Sequence, residues 1–224
     1  MRRLAFALAM LLAAPALAQA PASTPAPTPA DLLFERSHWK EAAPGTAISY
    51  RYARTTGAPD VFGPPFEDTI RLRLQPSTDE AARTVAVDFF SGPRRRAAGP
   101  FEDIQSNPVV LIFLEHHLET IAKVLKANPR YLKNAIRASM RDRAEVTAVT
   151  TSVGGREVPA WRVEVKPFLD DAMKERMRGL EKLTYRFVVS DAVPGALVSA
   201  KASAATPEGA MLLEEALTYD ASAG

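Results

Sequence analysis

Between residues 47 and 219 the hydrophobic pattern changes period twice, and this change limits the fold more than any other feature of the chain. Ile48, Tyr50 and Tyr52 alternate with Ser49, Arg51 and Ala53; Ile70, Leu72 and Leu74 alternate with Arg71 and Arg73; Val85, Val87 and Phe89 follow the same rule. A period of two with one polar face belongs to an antiparallel sheet that is wet on one side. From Asn107-Pro108, an N-cap followed by a first-turn proline, the apolar residues recur at three- and four-residue steps. Leu111, Leu114, Leu118, Ile121 and Leu125 then define one helix face. Asn128-Pro129 repeats the start signal, with Leu132, Ile136 and Met140 on one stripe.

Period two returns at Val146–Val153 and Arg156–Lys166, where Trp161, Val163 and Val165 share a face. Gly154-Gly155 between them tolerates positive φ and suits a two-residue hairpin turn. Leu183, Tyr185, Phe187 and Val189, then Ala196–Ala204 and Leu212–Tyr219, supply the last strands. Short helices are expected at Leu32–Lys40, capped by Asp31, and at Asp170–Arg178, closed by Gly179. Residues 55–66 and 92–106 read as loops. Strands, two helices and strands again predict a single α+β domain over residues 31–220. Its sheet is expected to be a curved antiparallel half-barrel covered by the inserted helix pair, Asn107–Arg143. Residues 109–114 are apolar all round, so that end of the first helix must be enclosed or must meet something greasy.

Ahead of the domain, Met1-Arg2-Arg3, the apolar run Leu4–Ala14, Pro15 and Ala18-Gln19-Ala20 have the order of a signal peptide cleaved near Ala20. The run falls short of the roughly 20 apolar residues of a spanning helix. Residues 21–30, with four prolines, read as a linker, and residues 221–224 as a flexible tail. The expected location is the periplasm. The chain has no cysteine, which closes lipid attachment at a cleavage-site thiol, disulfides and thiolate metal sites. Lys and Arg number 28 against 26 Asp and Glu, and Arg2 and Arg3 account for the excess. A mature domain of zero formal charge has no global attraction for nucleic acid.

Catalytic signals are absent: there is no Gly-x-Ser-x-Gly elbow and no phosphate loop. His116 and His117 point about 100° apart on a helix and lack further ligands, so neither a metal nor a cofactor is expected. The doublets Glu67-Asp68, Glu102-Asp103, Asp170-Asp171 and Glu214-Glu215 read as surface acid. Lys133, Arg137 and Arg141 form a cationic ridge that, with Arg94-Arg95-Arg96, is a candidate anion patch; solvated charge is the alternative. Tyr50, Tyr52, Phe89, Leu111, Leu114, Trp161, Tyr185 and Phe187 are candidate ligand-binding residues, either the lining of a cavity or plain core.

The element order over residues 31–220 resembles the LolA/LolB-like periplasmic lipoprotein-carrier fold, a curved half-barrel closed by helices over a hydrophobic cavity. The segments Asn107–Glu115 and Tyr185–Gly195 resemble those of uncharacterised exported proteobacterial proteins. The resemblance implies a bound lipid or acyl chain without a cofactor. It also implies an arginine inside the cavity, a role that the sequence assigns to no particular strand arginine. The reading is a soluble periplasmic protein that binds or carries a hydrophobic, lipid-like ligand, and not an enzyme. The alternative is a non-catalytic envelope interaction or scaffold protein with a filled core, in contact with a membrane surface or an envelope protein.

Overall fold

The computed structural model describes residues 26–40, 42–206 and 208–223. The expected signal peptide and the first half of the expected linker lie outside them. One sheet of nine antiparallel strands dominates the fold: β1 Ala47–Thr56, β2 Phe66–Gln75, β3 Arg83–Phe89, β4 Phe101–Ile104, β5 Glu145–Val153, β6 Arg156–Val165, β7 Thr184–Val189, β8 Leu197–Ala205 and β9 Met211–Tyr219. Their order is β4-β3-β2-β1-β9-β8-β7-β6-β5, so the sheet is open, with β4 and β5 at its edges. The first and last strands pair at its middle, Tyr50 opposite Tyr219 and Arg54 opposite Glu215, and this pairing joins the two halves of the chain.

The alternation read from the sequence decides which side is wet. Ile48, Tyr50, Ile70, Leu72, Val85, Val163, Tyr185, Phe187, Ala200 and Leu217 are buried on the inner face. Cross-strand ion pairs occupy the outer one, among them Arg73–Asp88, Arg186–Glu164 and Lys201–Glu214. Gly154 and Gly155 both take positive φ, 56° and 78°, and turn β5 into β6.

Among the described residues three α-helical segments interrupt the sheet in sequence: the single turn α1, Pro59–Phe62, and the longer α2, Val109–Leu125, and α3, Pro129–Asp142. α2 and α3 connect β4 to β5, which lie at opposite edges. α2 packs against α3 and β8. Leu132, Ile136 and Met140 are buried in the same cluster as the inner-face strand residues. The buried side of α2 is Val110, Phe113, His117 and Ile121, whereas Leu111, on the expected face, is 44% exposed. An all-apolar first turn leaves the rotation of the helix open, and the sheet on one flank and α3 on the other decide it.

Other expectations are corrected. The N-terminal helix is one π-type turn, Asp31–Glu35, continuing from Pro29 and Ala30 of the expected linker. Asp31 does not cap it; its N–H donates to Thr28 Oγ1 at 3.1 Å. Residues 170–178 hold only a single 3-10 turn, Lys174–Arg176, and Asp171, not Asp170, accepts the N–H of Met173. The loop 92–106 contains edge strand β4, whose four residues carry too short an alternation to read.

Asn107 ties the start of α2 to the rest. Its side-chain oxygen accepts the Val109 N–H at 3.1 Å, and its amide donates to Tyr50 Oη at 2.8 Å and Gly195 O at 2.9 Å. Gly195 sits at φ +76°, and a Cβ there would lie 2.7 Å from Asn107 Nδ2 and 3.2 Å from Ile48 Cδ1. Gly195→Ala is therefore expected to cost about 2 kcal/mol or more, through the positive φ and the displaced amide. Thermal unfolding measures it, and an unchanged midpoint would refute this account of the turn.

Candidate functional site

Strand alternation carries Arg54 inward two residues after Tyr52, and Glu215 inward between Leu213 and Leu217. The register sets them opposite each other. Arg54 Nε donates to Glu215 Oε1 at 2.8 Å, and Nη2 approaches the same oxygen at 2.5 Å. From α2, His117 Nδ1 donates to Glu215 Oε2 at 3.0 Å, since an ionised carboxylate only accepts. Arg54 also reaches Thr120 Oγ1 at 2.9 Å and Phe62 O at 3.3 Å. The Glu215 and His117 side chains have no exposed surface. Burial by itself pushes the Glu215 carboxyl up, but His117 and Arg54 more than offset it and hold it down at about 2. Among the described residues the Tyr185 hydroxyl has no hydrogen-bond partner, and burial pushes the Tyr52 and Tyr185 phenols up. The Glu215 carboxylate cross-links the sheet halves to α2.

Two concavities flank the exposed crest of α2. The first is a cleft of about 550 Å³ whose lining includes Arg54, Arg94, Arg95, Arg96 and Lys123, with Glu119 as the one carboxylate among its described lining residues. Arg96 pairs with Glu119 at 2.7 Å and donates to His116 Nδ1 at 3.2 Å. That bond makes the His116 ring a neutral acceptor with its proton on Nε2. Burial chiefly, with Arg54 and Arg96 adding to it, lowers His116 to about 4. Arg94 and Arg54 lie over the Phe66 ring, 4.7 and 5.1 Å from its centroid.

The second concavity is a groove of about 450 Å³ between the N-terminal turn, α2 and α3. Phe34, Leu111, Leu114, Leu118, Ile136 and Met140 line it, and Glu35, Glu115, Lys133, Arg137 and Arg141 edge it. Lys133 pairs with Glu115, and Arg141 with Asp142. Among the described residues no carboxylate lies within ion-pair distance of Arg137.

The groove thus brings together Leu111, Leu114, Lys133, Arg137 and Arg141 from the sequence-derived candidates. Phe89 lies beside Leu111 in a smaller pocket of about 350 Å³. Tyr50, Tyr52, Tyr185 and Phe187 are core, with Phe113 meeting Phe187 edge-on at 6.5 Å, and Trp161 is half-buried against that core. Arg94, Arg95 and Arg96 line the cleft on the other flank of α2, so the six cations do not make one patch. Glu215, placed with the surface acids by sequence, is fully buried. Among the described residues no three His, Asp or Glu side chains converge as metal ligands, and no helix is long and apolar enough to cross a membrane. The chain matches no protein-family model and no curated protein.

Proposed function

We propose that this chain is an exported, non-catalytic protein that binds an anionic amphiphile such as a single-chain lipid or fatty acid. The observation that carries the reading is the groove, which sets an apolar floor of Leu111, Leu114, Leu118, Ile136 and Met140 beside the Arg137 guanidinium. Its volume of about 450 Å³ lies within the usual range for small-molecule sites, roughly 300–1,000 Å³. An acyl chain would lie along the floor with its carboxylate or phosphate at Arg137. The finer architecture belongs to the same reading: a sheet curved as a half-barrel, with α2 and α3 covering its inner face as they pass from one edge to the other. The ligand then sits on the outer side of the helix pair, because Tyr50, Tyr185 and Phe187 fill the space beneath it.

That filling favours a second reading, an envelope scaffold that uses the groove to hold a protein. Mass spectrometry of lipid extracted from protein purified from the periplasm separates the two. Titration with a fluorescent fatty acid tests the site. Leu111→Asp introduces charge at an exposed position and is expected to weaken binding about tenfold or more, ~1.4 kcal/mol, with little change in thermal midpoint. Arg137→Glu should weaken a fatty acid more than the matching fatty alcohol. No co-purified lipid, together with fatty-acid binding that these variants leave untouched, would sink the proposal.

A further inference from the structure

We propose that the cleft on the opposite flank of α2 is a second binding site, for an oxyanion such as a phosphate monoester carried on an apolar body. No described residue lines both it and the groove, and it does not rest on the amphiphile reading. The argument begins with charge. Glu215 neutralises Arg54, and Glu119 neutralises Arg96. Arg95 reaches Asp88 only at 3.6 Å, and Asp88 is already held by Arg73 at 2.6 Å. Among the described residues Arg94 and Lys123 have no carboxylate within ion-pair distance. The cleft therefore carries uncompensated positive charge inside a concave, partly apolar wall, where an anion is attracted more strongly than at an open surface.

The geometry is set before any ligand arrives. Glu215, Thr120 and Phe62 O fix the Arg54 guanidinium, and Arg94 lies over Phe66. Guanidinium groups held in this way lose little freedom on binding an oxyanion. The loop that brings Arg94 to the cleft leaves β3 through Phe90 at φ +63°, a left-handed conformation strained for an aromatic residue. The turn sets the Phe90 ring against Tyr52, Phe66 and His116, with centroids 4.8, 5.6 and 5.2 Å away. Phe62, Phe66 and Phe90 supply the apolar wall that prefers an organic anion to an inorganic one.

Isothermal titration at low ionic strength with phenyl phosphate and with inorganic phosphate tests this, alongside sedimentation with phosphatidylcholine vesicles with and without phosphatidic acid. Phenyl phosphate is expected to bind with a Kd of about 1 mM or tighter, several-fold better than inorganic phosphate, and to weaken as salt is added. The double variant Arg94→Gln/Lys123→Gln changes two exposed side chains and should keep the thermal midpoint while losing about tenfold or more in affinity. Leu111→Asp should leave this binding unchanged. Binding of phosphatidic acid vesicles without phenyl phosphate binding, abolished in the double variant, identifies a lipid headgroup as the source of the oxyanion. Absence of saturable binding both to phenyl phosphate and to phosphatidic acid vesicles, or binding that survives in the folded double variant, overturns the proposal.

Discussion

Glu215→Ala is expected to lower the unfolding free energy by about 3–5 kcal/mol, the usual cost of removing one partner from a buried ion pair. Arg54 would keep Thr120 and Phe62 O but lose the anion that balances it, and the His117 Nδ1–H would be left without an acceptor. Glu215→Gln keeps the shape and one acceptor and should cost less. Replacing all three groups with apolar residues, as in Arg54→Met/Glu215→Leu/His117→Phe, is expected to be nearly neutral, because no charge then remains to desolvate. The measurement is the urea midpoint at constant slope. If Glu215→Ala lowered the unfolding free energy by less than about 1 kcal/mol, the carboxylate would not be the cross-link described above.

This cluster was legible in the sequence, though only in part. Ile48, Tyr50, Tyr52 and Arg54 lie on one period-two line, and Leu213, Glu215 and Leu217 on another. A charge at an inward position of an alternating strand is the signal, and two of opposite sign on different strands are a pair awaiting a register. Reading Glu214-Glu215 as a doublet hid the alternation, which puts Glu214 outside with Lys201 and Glu215 inside with Arg54. That β1 pairs with β9 was not legible, since local pattern says nothing about which strands meet across 161 residues. The eight strands other than β4, the hairpin at Gly154-Gly155 and the α3 stripe were legible because each rests on one local period. The rotation of α2, the short edge strand β4 and the left-handed Phe90 depend on contacts made elsewhere in the chain, and so escaped the sequence. The groove joined two candidate sets, the leucines of α2 and the cations of α3, because a helix pair brings neighbouring stripes together.

Acid is expected to begin destabilising this protein before its surface carboxylates are titrated. His38 accepts the Asn107 N–H on Nδ1 at 2.9 Å and donates from Nε2 to Leu32 O at 2.9 Å. The bond to Asn107 requires an unprotonated Nδ1, so a proton there breaks the link between the N-terminal turn and the start of α2. Burial chiefly, with Arg36 adding to it, lowers His38 from 6.5 to about 4, against the opposing pull of Leu32 O, Asp191 and Asp31. His116, lowered to about 4, faces Arg54, Arg96, Glu119 and Glu215. For both histidines the folded pKa lies below the unfolded one. The unfolded chain therefore takes up the proton first, and stability that is complete above about pH 6.5 falls as the pH drops toward 4. The loss is on the order of 3 kcal/mol per histidine. Glu215, held at about 2, adds to it below the ordinary carboxylate range, where the unfolded chain again binds the proton first. Against a total stability of roughly 5–15 kcal/mol, the two histidines together remove a large share of it by about pH 4. Urea midpoints at neutral and acid pH measure the slope. His38→Gln retains an acceptor for Asn107 and a donor for Leu32 O, and His116→Phe keeps the aromatic packing with Tyr52, Phe89 and Phe90. The double variant should be nearly flat from pH 7 to 5; a slope equal to that of the parent would place the acid sensitivity in other groups.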